Sequence, residues 1–178
     1  MLKRKVIAQN ITNLTDARYF AAWGVDYLSF NISKDSPFFI ELSKAQEIIE
    51  WVEGPLSLIE SNAVEFIEGI DGHILSNIFS SLPLNKEAFF RTPMSEVLRG
   101  LPAGKYIIQP TPSEVEALFK LDASKIMGCD IFVDAQDLGI AQLEELPEYG
   151  LVLQGGAEEK VGVKSFDELD VIYEWLLD

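Results

Sequence analysis

One cysteine and one histidine are all that this 178-residue chain holds of the side chains that most often bind metals or act as nucleophile and base. The lone thiol, Cys129, excludes an internal disulfide framework and a cysteine-based zinc site. The lone imidazole, His73, excludes a multi-histidine metal centre and reads as a core or surface residue rather than a catalyst. Basic residues are scarce too. Lys and Arg total 14 against 29 Asp and Glu, a net charge of −15, which speaks against nucleic acid or an anionic membrane as partner. No apolar run approaches the roughly 20 residues that span a bilayer. The start, Met1-Leu2-Lys3-Arg4-Lys5, lacks the apolar core and small-residue cleavage site of a signal peptide, so a cytoplasmic protein is expected.

What the chain does have is apolar bulk. With 48% apolar and 24% charged residues it can bury a sizeable core, and its length fits a single domain over residues 1–178. Eight short β-rich runs recur: Lys5–Gln9, Tyr27–Ile32, Leu56–Glu60, His73–Ser76, Ala88–Thr92, Tyr106–Gln109, Ile131–Asp134 and Leu151–Gln154. Most are apolar on both pleat faces, as parallel strands covered on each side should be.

Helix signals fill the gaps. Thr111-Pro112-Ser113-Glu114 reads as a capping box ahead of Val115, Leu118 and Phe119. Asn62 to Glu65 offers a similar cap. Ala45, Ile48, Ile49 and Val52 form one apolar stripe, and Phe166, Leu169, Ile172 and Leu176 another behind a Ser165–Glu168 cap. Gly24, Gly54, Gly69 and Gly100 stand where helices should stop. Trp23, Trp51 and Trp175 come late in helical stretches, where packing between helices and sheet explains them. Eight alternations predict a compact α/β (βα)8 barrel of eight parallel strands, with an open doubly wound sheet as the competing architecture. At about 22 residues per unit against roughly 31 in a barrel of typical size, some helices must shrink to a turn. Asn77–Leu82 and Ser95–Arg99 are the expected places.

Ile11-Thr12-Asn13-Leu14-Thr15-Asp16-Ala17, followed by Gly24-Val25-Asp26 and Phe30, resembles the start of the phosphoribosylanthranilate isomerases. Those are (βα)8 barrels of tryptophan biosynthesis, with an opening close to K-I-C-G-I-T-N-x-x-D-A. Ser36-Pro37 and the helix Ser43–Trp51 are similar to the family's S-P-R-Y loop and next helix. Gly156-Ala157-Glu158 and Gly162-Val163-Lys164 resemble its ending. The match covers about the first 55 and last 25 residues.

The resemblance implies an Amadori rearrangement, in which an acid opens the ribose ring and a base removes the C2 proton. The family's base is the cysteine of K-I-C-G-I-T-N. Counting back from Ile11-Thr12-Asn13 puts Gln9 there and Asn10 at the glycine, and shifting the gap gives Ile7 or Ala8. A carboxamide has no protonation equilibrium near neutrality, so Gln9 is not a competent base. The arginine of S-P-R-Y, a carboxylate contact in the family, is Phe38 here. Asp134 is the candidate general acid, although it closes the seventh run whereas the family's acid stands on the sixth strand. Asp137 belongs to the following loop or helix cap, and Glu60 is a further candidate base at the end of its run. Cys129 stands before a strand, at the wrong end of a barrel for chemistry.

Gln154-Gly155-Gly156 resembles a phosphate-side loop, where glycines admit a phosphate to backbone N–H groups, or is simply a tight turn. Arg91 is the candidate anion anchor, with pairing to one of the many acids as its alternative. No G-K-S or G-K-T phosphate loop is present, and no cofactor is expected. The expected function is an isomerase-like barrel, its reaction lost or altered, that binds a small phosphorylated metabolite. An active isomerase with a substitute base and a non-enzymatic scaffold are the alternatives.

Overall fold

A computed structural model describes residues 1–61, 67–76, 87–155 and 166–177. Eight strands close into a barrel in sequence order: β1 (Val6–Gln9), β2 (Tyr27–Asn31), β3 (Leu56–Glu60), β4 (Gly72–Leu75), β5 (Glu87–Thr92), β6 (Gly104–Ile108), β7 (Cys129–Asp134) and β8 (Gly150–Gln154). Every neighbouring pair is parallel, and β8 returns to β1 with Ile7 opposite Val152. The open-sheet alternative is thereby excluded. The helices among the described residues are α1 (Leu14–Trp23), α2 (Leu42–Glu50), α3 (Met94–Val97), α4 (Val115–Phe119), α5 (Ile140–Glu145) and α6 (Asp167–Leu177). None is long and apolar enough to cross a membrane.

Strand alternation separates two cores. Ile7, Tyr27, Leu58, Ile74, Phe89, Ile107, Phe132 and Val152, one from each strand, fill the lumen as a cluster of their own. Tyr27, Phe89 and Phe132 meet edge to face, with Phe89 5.1 Å from Tyr27 and 5.4 Å from Phe132 between centroids. Gly150 makes the room, because a Cβ there would sit 2.5 Å from the Phe132 ring. The intervening residues, among them Val6, Ala8, Leu28, Phe30, Ile59 and Val133, pack outward against the helices. At the N-terminal end Lys105 pairs with Glu87 at 2.8 Å and lies 5.2 Å from the Phe89 ring centroid, so a charged plug underlies the apolar layer.

The outer layer leans on aromatic contacts between α1 and α6. Trp23 stacks on Tyr173 at 4.9 Å, and Tyr19 stacks on Phe166 at 3.9 Å while its hydroxyl donates to Asp170. Trp175 lies under Lys3 and Arg4. Trp51 departs from the packing expected of it: it is 69% exposed, past the end of α2. Gly24 caps α1 at φ 76°, its N–H bonded to Phe20 and Ala21, and the other three predicted stops also have positive φ. The expected single turn at Ser95–Arg99 is α3, which starts one residue earlier and ends two residues earlier. The cap at Asn62 to Glu65, the turn at Asn77–Leu82 and the Ser165 cap lie outside the described residues.

Candidate active site at the barrel mouth

Two residues beyond the lumen layer, on the same pleat face, the sequence turns polar. Gln9 follows Ile7, Glu60 follows Leu58, Arg91 follows Phe89, Gln109 follows Ile107, Asp134 follows Phe132 and Gln154 follows Val152. These six side chains, with Asn10, Asn31, Gln136 and the loop residues Ser36, Pro37 and Phe38, line a cavity of about 220 Å³ at the C-terminal ends of the strands. This is the end of such barrels where chemistry is done.

One hydrogen-bonded chain crosses the mouth. Arg91 forks onto Glu60, with Nε 2.6 Å from one carboxylate oxygen and a terminal nitrogen 2.7 Å from the other. The same terminal nitrogen donates to Gln9 Oε1 at 2.9 Å, and Gln9 Nε2 donates to Asp134 Oδ2 at 2.9 Å. A donor on one side and an acceptor on the other fix which way the carboxamide points. Gln9 is 3% exposed and Asp134 6%, so this end of the chain of bonds is withdrawn from water. Asp134 Oδ1 accepts from the Gln136 N–H at 3.2 Å, leaving both of its oxygens as acceptors. Burial opposes the charge on Arg91, but the Glu60 bonds and the Glu60 and Asp134 charges outweigh it and raise its pKa above the ordinary value.

Asn10 has φ 58°, a left-handed conformation that asparagine tolerates better than most residues, and its Nδ2 bonds Gln154 Oε1 at 2.8 Å. Behind β2 the chain folds back: Ile40 N–H bonds Asn31 O at 2.9 Å, and Phe38 N–H bonds Ser36 Oγ at 3.1 Å. This fold-back sets Phe38, half-buried, in the cavity wall.

The structure brings Gln9, Asp134, Arg91 and Glu60 together, all four in one bonded row. It pairs Arg91 with an acid, the alternative left open for it. Gly155 follows β8 at the mouth side, half-buried, while Gly156 lies outside the described residues. Asp137 is exposed in the turn before α5, whose N-cap is Gly139. His73 faces away from the lumen, since Ile74 beside it faces in and Ile59, its register partner on β3, belongs to the outer core.

Cys129 opens β7 at the opposite end and is half-buried, its Sγ 3.2 Å from Pro102 O. Burial raises the pKa of its thiol. A larger hollow of about 460 Å³ lies at that end, lined by Lys3, Arg4, Lys5 and Cys129 among others. Its cations are occupied structurally: Arg4 bonds the carbonyls of Leu143, Leu146 and Pro147 past α5, and Lys5 is 3.9 Å from Asp130. Among the described residues no cluster of His, Cys, Asp and Glu is arranged to hold a metal.

The sequence reading missed the carboxamides Asn31, Gln109 and Gln136. Counting two residues on from the lumen-facing Ile107 would have found Gln109, and counting four from Tyr27 would have found Asn31. Gln136 enters the wall from the turn after β7, where no periodicity applies.

No family model and no curated protein matches the sequence. Among solved structures the chain is similar to a phosphoribosylanthranilate isomerase from Thermus thermophilus, at 19% identity over 97% of this chain and 98% of that one, with a TM-score of 0.74. An N-(5'-phosphoribosyl)anthranilate isomerase from Pyrococcus furiosus aligns at 16% identity over 96% and 97%, with a TM-score of 0.67. A third isomerase of this kind, in complex with reduced 1-(o-carboxyphenylamino)-1-deoxyribulose 5-phosphate, aligns at 12% identity over 96% and 97%, with a TM-score of 0.70.

Proposed function

We infer that this chain is a barrel of the phosphoribosylanthranilate isomerase type that binds a small polar metabolite at its mouth and does not carry out the Amadori rearrangement. One observation carries the reading. At the strand end where the resemblance calls for a proton acceptor, Gln9 presents a carboxamide whose oxygen is bonded to Arg91 and whose nitrogen is bonded to Asp134. Neither amide atom has a protonation equilibrium near neutrality.

The left-handed backbone at Asn10, which stands where the family has glycine, supports that alignment. The shifted alignments fare worse: Ile7 is buried in the lumen layer, and Ala8 faces the helices. The substitute bases are also engaged. Both oxygens of Glu60 accept from Arg91, and both oxygens of Asp134 accept N–H groups, so neither is poised for a substrate proton. The acid position is similarly disarmed: Asp134 stands on the seventh strand, and the residue that follows the sixth, on the lumen side of its pleat, is Gln109. Any phosphate that the ligand carries lies against the backbone of Gly155 at the end of β8.

A tryptophan auxotroph lacking its isomerase tests this. Soluble expression of the chain without growth on minimal medium is the expected result. Growth that depends on Asp134 or Glu60 would overturn it.

A further inference from the structure

We propose that the part of the ligand seated in the described mouth is an uncharged polyhydroxylated ring, a sugar or cyclic polyol, laid against Phe38 and hydrogen-bonded to the surrounding carboxamides. The proposal rests on the reading of the mouth as a binding site and adds the chemistry of its occupant.

The charge balance comes first. Two carboxylates, Glu60 and Asp134, face one guanidinium, and Arg91 already spends its fork on Glu60. An anion entering the described lining meets net negative charge and no free cation, an unfavourable pairing at low local dielectric. The hydrogen-bonding groups come second. Six carboxamides line the cavity: Gln9, Asn10, Asn31, Gln109, Gln136 and Gln154. Each offers both donors and an acceptor, the match for hydroxyl groups that donate and accept at once. Among the described residues no partner takes Asn31 Nδ2, Gln154 Nε2 or the side-chain amides of Gln109 and Gln136. Just below them on β2, Ser29 is 1% exposed and its Oγ has no partner among the described residues.

Phe38 is the third observation. It lines the cavity, yet it is not among the partly buried apolar residues packed on the core. A half-buried aromatic ring in the wall of a polar cavity offers a flat apolar platform to a ligand. The C–H face of a sugar ring is apolar and slightly positive, complementary to the negative face of the phenyl ring. Size agrees: about 220 Å³ falls below the roughly 300–1,000 Å³ of drug-sized pockets and suits one small ring.

The test is NMR titration of the full chain, reading the side-chain amide resonances of Gln136 and Gln154 together with the ligand's own protons. The probes are D-xylose, D-glucose and myo-inositol, set against D-ribose 5-phosphate, inorganic phosphate and anthranilate. At least one neutral probe should shift both amides, with its C–H protons moved upfield by the Phe38 ring. Phe38→Ala should weaken that binding by about fivefold to tenfold, and Phe38→Trp should retain it. Binding confined to the charged probes, no binding by any probe, or neutral binding indifferent to Phe38→Ala would each overturn the proposal. Binding of charged probes alone would sink the proposal yet leave the mouth a binding site, and no outcome bears on the absence of isomerase turnover, which the auxotroph tests by itself.

Discussion

Replacing Arg91 with methionine tests the polar row where it is most tightly bonded. The change removes both bonds to Glu60 and the one to Gln9, leaving a carboxylate whose side chain is 14% exposed without its cation. Fully buried pairs lose about 3–5 kcal/mol when one partner goes, and exposed pairs about 0–1 kcal/mol. Arg91 itself is 24% exposed, so the pair lies between these limits and nearer the first. A loss of about 2–3 kcal/mol follows, or a fall in Tm of about 4–12 °C for a chain of this size. Thermal unfolding followed by circular dichroism gives the Tm, and urea unfolding gives the free energy. Arg91→Lys should recover only part of the loss, since an ammonium keeps the charge but not the fork. In a Glu60→Gln background Arg91→Met should do much less harm, because the stranded carboxylate is gone. A wild-type-like Tm for Arg91→Met would refute the reasoning and show that solvent already screens the pair.

Burial raises the pKa of all five tyrosines, led by Tyr19, Tyr27 and Tyr173, since each phenolate would form out of water. The folded chain therefore holds phenol protons that the unfolded chain releases near pH 10, and stability falls as pH rises past that value. Phenolate absorbance should stay low at pH 10 and rise together with unfolding; normal ionisation by a folded protein would contradict this. Cys129, its pKa raised by burial, should react with a disulfide reagent at pH 8 more slowly than a free thiol, and an equal rate would count against that environment. Gly150→Ala should cost about 1–3 kcal/mol in urea unfolding through the clash with Phe132, and a neutral effect would mean that the lumen is looser than described.

All eight strands were legible in the sequence because a parallel strand covered on both faces leaves an unbroken apolar run. Their edges were less so. β7 begins at Cys129, ahead of its apolar run, because Asp130 interrupts the pattern at the exposed end of the barrel. Only half of the capping box at Thr111 forms: Glu114 accepts from the Thr111 N–H at 2.9 Å, but the Glu114 N–H bonds the Thr111 carbonyl rather than its hydroxyl, and α4 runs only from Val115 to Phe119. Local chemistry marked the start of that helix, and the compact barrel set its length.

The site was readable one residue at a time. Gln9, Glu60, Arg91 and Asp134 each stood out at a strand end, but Glu60 lies 31 residues from Arg91 and Gln9 lies 125 from Asp134. Only closure of the barrel brings such distant positions within bonding distance. Trp51 shows the opposite limit, because nothing in a helical stripe says whether its last aromatic meets a neighbour or solvent.

The most direct measurement is the turnover of phosphoribosylanthranilate by the purified chain, followed by the loss of its fluorescence. General acid–base groups typically supply about 10²–10⁴-fold each, so a mouth without a free base should leave the rate at that of the uncatalysed reaction. Catalysis above that background, removed by Asp134→Asn in a protein that stays folded, would contradict the account at its centre.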